Sequence, residues 1–212
     1  MLKNNHKYNR GDTLIEVLFA TAAFSLIAVS GLSIMNQGTS TAQRALEITL
    51  VRQEIDAQAE TLRFLNSSYI SAYQSGINSY PASTPAGQWG LIQESAVVNV
   101  SSFDSGAACQ KPQSGSFIVD THNAKIITAT EKLTLPVTFS QVQYEYDTGT
   151  KTYTASRAEG IWIEAVRYIP QSGTTQDNAG YIDFHIRACW DSPGQSIPVT
   201  IGTIVRLYEP HR

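Results

Sequence analysis

The sequence predicts an α+β fold: one long N-terminal helix, then an antiparallel β-sheet. Three observations carry this expectation. Residues 13–35 are apolar almost throughout. A helical stripe then continues to about residue 72. From residue 117 onward the pattern changes to strand-like alternation. The expected organisation is a leader (1–11), a long helix (12–72, with 12–35 of membrane length) and a head (73–212). The head divides into a connecting region (73–116) and a β-region (117–212).

The N-terminal element carries most of the functional signal. Arg10 to Met35 read RGDTLIEVLFATAAFSLIAVSGLSIM, and between Thr13 and Met35 the only ionisable side chain is Glu16. About 23 residues at ~1.5 Å each span roughly 34 Å, enough to cross a bilayer. A carboxylate within such a stretch costs roughly 2.5–3.5 kcal/mol on insertion scales, so it is read as functional and in need of a partner. Lys3, Lys7 and Arg10 precede the apolar run and keep the N-terminus cytoplasmic. A secretory signal peptide fits poorly, because its apolar core is ~7–15 residues and a small-residue cleavage site follows it. An ordinary signal anchor with Glu16 near the interface is the plainer competing reading. The tripeptide Arg10-Gly11-Asp12 is read as incidental.

The block Gly11-Asp12-Thr13-Leu14-Ile15-Glu16-Val17 resembles the cleavage and methylation site of type IV prepilins and of type II secretion pseudopilins. The glycine, the Thr-Leu-Ile-Glu block, the basic leader and the apolar continuation match. Asp12 departs from the pattern, where phenylalanine is commonest. The resemblance covers about the first 60 residues. It implies a pilin-like fold and a membrane peptidase that recognises Thr13, Leu14 and Ile15 and cuts between Gly11 and Asp12. It implies N-methylation of the new amine on Asp12, a step on which the acidic residue bears directly. It also implies that Glu16 pairs with the positive N-terminus of a neighbouring subunit and so sets axial register. Truncating either partner of such a pair leaves an unpaired buried charge.

The expected function is therefore a minor pilin of a type IV pilus-type filament, supporting adhesion, surface motility or DNA uptake. A minor subunit is preferred to a major one because of Asp12, a large head and low Ala/Gly content beyond the helix. A type II secretion pseudopilin is the rival within the class. A membrane-anchored binding protein that never polymerises is the rival outside it. The resemblance implies other pilin subunits, a prepilin peptidase, the cytoplasmic membrane and an assembly platform as partners, with a host-cell or surface ligand for the head. The chain would sit in the cytoplasmic membrane before assembly and in an extracellular filament after it.

The composition sets further bounds. About 140 of the 212 residues lie beyond the helix, enough for one small domain with its own core. The net charge is −3; losing residues 1–11 takes Lys3, Lys7 and Arg10 from 15 bases and no acid, leaving 12 against 18, net −6. No nucleic-acid surface is implied by that total. Two cysteines, Cys109 and Cys189, fall outside the membrane, where oxidation is permitted. A bridge between them would contribute roughly 2–4 kcal/mol; two free buried thiols are the alternative. No Cys or His spacing suggests zinc, so no cofactor or metal is expected.

Along the helix, Ile48, Val51, Ile55, Leu62, Leu65 and Tyr69 recur at spacings of three, four or seven. Arg44, Glu47, Arg52, Glu54, Asp56, Glu60 and Arg63 are assigned mostly off that stripe. Gly31 and Gly38 each cost about 1 kcal/mol relative to alanine; they either bend or melt the helix or are merely tolerated. Residues 73–116 are rich in Ser, Gly, Pro, Asn and Gln, as at Tyr80-Pro81, Thr84-Pro85-Ala86-Gly87 and Ser105-Gly106. They read as a long connection with at most a short strand near Ser95–Val100.

Seven strands are expected: Phe117–Asp120, Leu133–Phe139, Gln141–Asp147, Lys151–Arg157, Ile161–Ile169, Tyr181–Trp190 and Pro198–Tyr208. Thr148-Gly149 is a hairpin turn between two of them. In Tyr181–Trp190, Ile182, Phe184, Ile186, Ala188 and Trp190 share one face, while Tyr181, Asp183, His185, Arg187 and Cys189 share the other. The apolar face should meet the helix. Cys189 on the polar face favours a bridge to Cys109 in a covering loop. Val199, Ile201, Val205 and Leu207 make a similar stripe.

Signals for catalysis are weak. Asp183, His185 and Arg187 share a strand face and His122 stands alone, with no nucleophile elbow, HExxH or phosphate loop. An enzyme is not expected. Tyr80, Trp89, Tyr144, Tyr146 and Tyr153 either form an adhesive surface or pack the sheet, the second being the plainer expectation. Asp104 and Asp177 match no calcium-loop spacing.

Overall fold

The computed structural model describes residues 12–77, 79–97, 108–110, 112, 114–168 and 180–210, with side chains from Leu14 onward. The chain forms two compact units, Met1–Ala45 and Leu46–Arg212. The arrangement is α+β: a long N-terminal helix followed by a strand-rich region.

Helix α1 spans Asp12–Gln74. It is continuous through Gly31 and Gly38, neither of which interrupts its hydrogen bonding. Its end has a clear cause. Gly76 takes the left-handed conformation (φ 74°). The Ile77 N–H then donates to Ala72 O at 3.1 Å and the Gly76 N–H to Tyr73 O at 3.0 Å. This is a Schellman cap, which satisfies two orphan carbonyls.

Within the second unit, the helix stripe is as expected: Val51, Ile55, Leu62, Leu65 and Tyr69 are buried, joined by Ala59. They pack into one cluster with Trp89, Phe117, Ile163 and Phe184. The connecting region differs from its sequence expectation. It holds a second helix, α2 (Pro85–Ser95), where a loop is predicted. Thr84 caps it, its Oγ1 accepting from Gly87 N at 3.2 Å. Pro85 stands at the first helical position, where its fixed φ is suited and its missing N–H costs nothing. Ala86, Trp89 and Ile92, three residues apart, face inward. Of the short strand expected near Ser95–Val100, the described residues show a parallel bridge between Val97 and Val166; residues 98–100 lie outside the described residues.

The β-region forms three sheets rather than one. Strands β1 (Ile118–Asp120) and β2 (Lys125–Ile127) pair antiparallel. Strands β4 (Gln141–Asp147) and β5 (Thr152–Glu159) form a hairpin. The short β3 (Leu133–Thr134) lies parallel to β5, a departure from the antiparallel expectation. Strands β6 (Ile161–Tyr168), β7 (Tyr181–Trp190) and β8 (Val199–Tyr208) make the third sheet in that order, antiparallel throughout. The strand expected over Leu133–Phe139 stops after two residues. Pro136 has no N–H to give a ladder and blocks its continuation. Strand β2 and a 3-10 turn at Thr130–Lys132 are not anticipated by the sequence. Ile169, the last residue of one expected strand, lies outside the described residues.

Local chemistry explains the joints. In the β4–β5 turn the Asp147 carboxylate accepts from the N–H groups of Gly149 and Thr150, which holds its pKa below the usual carboxylate range. Between β5 and β6, Gly160 has φ 64°, and a Cβ there would meet Cys189 O at 2.4 Å. Its carbonyl accepts from Cys189 N at 2.8 Å, so the close approach ties the two sheets together. Strand β7 is central to its sheet. Ile182, Phe184, Ile186, Ala188 and Trp190 are fully buried on the inner face, as the alternation predicts.

Candidate functional site

The first unit presents an apolar rod. Twelve large apolar side chains between Leu14 and Met35 are each more than half exposed. This helix is long and apolar enough to cross a membrane, and none of its most apolar stretch is buried within the chain. Three of its hydroxyls bond the preceding turn of the helix. Thr21 Oγ1 donates to Val17 O, Ser25 Oγ to Thr21 O and Ser30 Oγ to Leu26 O, at 2.7–3.0 Å. A hydroxyl that bonds the preceding turn removes the desolvation penalty it would carry in hydrocarbon. The carboxylate of Glu16 has no hydrogen bond or ion pair among the described residues, and it is solvent-exposed.

Of the residues singled out in the sequence, Leu14 and Ile15 are exposed on the rod at 67 % and 57 %. Gly11, the Gly11–Asp12 junction and the side chains of Asp12 and Thr13 lie outside the described residues, as do Asp104 and Asp177. Cys109 and Cys189 are joined by a disulfide with Cα atoms 5.7 Å apart. Cys189 does sit on the polar face of β7, and the bridge fixes Cys109 to that face.

A buried carboxylate meets the end of β7 from the helix. Glu47, assigned off the helix stripe, is buried. Its Oε2 accepts from Trp190 Nε1 at 3.0 Å and from Ser192 Oγ at 2.7 Å. It stands four residues before Val51, so its position continues the stripe; only its charge argued against burial. The pair ties the end of β7 to the start of this unit's helical segment. Gln58 makes a second tie, donating to Val119 O and accepting from Val119 N, both at 2.8 Å.

The polar face of the third sheet is a set of cross-strand pairs. Arg206 bonds Asp183 through two contacts of 2.8 Å. That guanidinium holds the Asp183 carboxyl below its ordinary range. Arg187 lies 3.9 Å from Glu164. His185 sits between these pairs, and burial together with the Arg187 cation pushes its pKa down. In-register Tyr168, Tyr181 and Tyr208 form an aromatic row, with Arg206 4.0 Å above the Tyr181 ring. Among the described residues no group of three or more His, Cys, Asp or Glu is arranged to hold a metal ion.

The aromatic residues named from sequence divide. Trp89 is wholly buried in the core, and Tyr80 packs on Tyr69 with ring centroids 5.2 Å apart. Tyr144 is half-buried, its hydroxyl 2.8 Å from Thr121 Oγ1. Tyr146 and Tyr153 remain about half exposed and pack on each other across the hairpin. His122 contacts the rings of Tyr144 and Tyr153.

No protein-family model, curated protein or solved structure matches this chain.

Proposed function

We propose that the chain is a minor subunit of a type IV pilus-type filament. Residues 12–35 hold the precursor in the cytoplasmic membrane with its N-terminus inside the cell. A prepilin peptidase cuts between Gly11 and Asp12, and an assembly platform moves the subunit from lipid into a stack of sister helices. Glu16 then meets the Asp12 amine of a neighbour. Only one axial stagger puts acid beside amine, so the pair sets register. As a structural protein the subunit supports adhesion, surface motility or DNA uptake by its place in an extracellular fibre.

The observation that carries this reading is the apolar rod itself. It exposes a membrane-length surface with one carboxylate near its start that has no partner among the described residues, joined to an α+β head with its own core. Mass spectrometry of the protein from cells with and without the peptidase tests it. The mature chain should begin at Asp12, with or without one methyl group, only where the peptidase is present. An intact N-terminus in peptidase-bearing cells would overturn the reading and leave a single-pass anchored protein. Glu16→Ala should be cleaved and membrane-bound yet missing from filaments.

A further inference from the structure

The last strand offers a free edge. Among the described residues β8 pairs with β7 and with no other strand. The Glu209 N–H donates to Gly180 O, one step beyond the Tyr181–Tyr208 pair. Hydrogen-bonded pairs alternate along an antiparallel ladder, so Leu207, Val205, Thr203 and Ile201 turn their N–H and C=O toward β7. Tyr208, Arg206, Ile204, Gly202 and Thr200 turn theirs away. Tyr208 O obeys this assignment, accepting from Asn66 Nδ2 at 3.1 Å on the far side. The backbone groups of Thr200, Gly202, Ile204 and Arg206 have no partner among the described residues.

Natural sheets blunt such edges with proline, lysine, bulges or covering segments. Strand β8 has neither proline nor lysine. The β7–β8 register runs without a bulge over ten pairs. Its one cation, Arg206, is committed to Asp183. Ile204 stands 62 % exposed. The edge is also flanked by two cavities that share Thr200, Ile201, Gly202 and Thr203. One, of about 520 Å³, lies on the polar face beside His185 and Ile204. The other, of about 500 Å³, is walled by Arg52, Ile55 and Asp56 of α1. Arg52 and Asp56 are exposed and form no ion pair among the described residues.

We propose that this edge takes an extended segment of a partner protein as an added antiparallel strand. The chemistry of that segment follows from the walls. Successive side chains of a strand alternate faces, so they would enter the two cavities in turn. A residue opposite Gly202 points to the outer cavity, where an apolar side chain would pack beside Ile204 and His185. Its two neighbours point to the helix. Arg52 and Asp56, four residues apart, are offset by ~6 Å along the helix, close to the ~6.8 Å between alternate strand residues. Asn66 meets the Tyr208 end of β8 while Arg52 and Asp56 meet the Thr200 end, so helix and strand run the same way. An antiparallel partner therefore presents a base to Asp56, then the apolar residue, then an acid to Arg52. The inference does not depend on whether the chain enters a filament.

The test titrates the full chain in detergent micelles with the capped heptapeptide Thr-Val-Lys-Ile-Glu-Val-Thr. Amide exchange is followed by NMR. In the free chain the N–H groups of Gly202, Ile204 and Arg206 should exchange at least tenfold faster than those of Thr203 and Val205. Peptide should slow that first set at least tenfold. Methylating the backbone nitrogen of the central isoleucine, which faces Gly202, should weaken binding at least tenfold. Methylating that of the glutamate, which points away, should leave it within twofold. Exchanging the peptide's lysine and glutamate should weaken binding, and Arg52→Asp with Asp56→Arg should reverse that preference. Edge amides already protected in the free chain, equal loss from both methylations, or binding that leaves the edge amides unchanged would each overturn the proposal.

Discussion

Glu47 is the sharpest place to test how the head is held together. Its carboxylate receives the Trp190 indole N–H and the Ser192 hydroxyl, and all three residues are buried. Glu47→Ala leaves both donors without that acceptor. An orphaned buried donor costs about 1–3 kcal/mol. Two of them, partly relieved by water entering beside the exposed Asp191, should cost about 3 kcal/mol. For a unit of this size that corresponds to a fall of about 6–12 °C in Tm. Glu47→Gln keeps one acceptor oxygen for the Trp190 and Ser192 donors and loses the charge assistance to them, so its loss should be about 1 kcal/mol. Trp190→Phe removes one donor, so Glu47→Ala should cost less in that background than in the wild type. The assay is chemical denaturation of the full chain in micelles, followed by near-ultraviolet circular dichroism. Glu47→Ala as stable as wild type, or Glu47→Gln as damaging as Glu47→Ala, would refute the reasoning.

Two further expectations follow from the same unit. Replacing both Cys109 and Cys189 by serine opens a link spanning 80 residues; the loss should fall in the roughly 2–4 kcal/mol typical of a bridge, with the chain-entropy formula for this loop length setting an upper figure of ~4.5 kcal/mol, and equilibrium denaturation showing less than ~1 kcal/mol would count against it. For His185, the folded pKa lies below the ordinary imidazole value because of burial and Arg187. The unfolded chain therefore binds a proton first, so stability is full above about pH 6.5 and declines as pH falls through that value toward the folded pKa. His185→Gln should flatten that decline, and an NMR titration should place the ring midpoint below 6.5; a midpoint at or above it contradicts the expectation.

What was legible in the sequence was what burial writes locally. The α1 stripe and the β7 alternation are periodic because each element buries one face against the same core, so both emerged with nearly their observed bounds. Cys189 was legible for the same reason: its parity along β7 assigned its face. Helix α2 was hidden because Gly87 and Gly90 and its flanking prolines and serines carry loop-like composition. Its true signal was Thr84 followed by Pro85, a cap and a first-turn residue. The parallel docking of β3 on β5 is set by tertiary contact and leaves no local trace. Glu47 was missed because its partner lies 143 residues away; the stripe spacing was correct, and residue type overruled it.

On the proposed reading, magnitudes decide where a defect at Glu16 must be sought. Twelve exposed large apolar side chains at ~1.5–3 kcal/mol each would contribute roughly 18–36 kcal/mol on entering lipid. One carboxylate subtracts only ~2.5–3.5 kcal/mol on insertion scales. Removing it would therefore strengthen anchoring by a small fraction and could not release the chain from the membrane. Its retention has to be explained by a later step, in which the alternative to a partner is an unpaired charge among packed helices. A substitution there that loosened membrane attachment, rather than assembly, would contradict this ordering of energies.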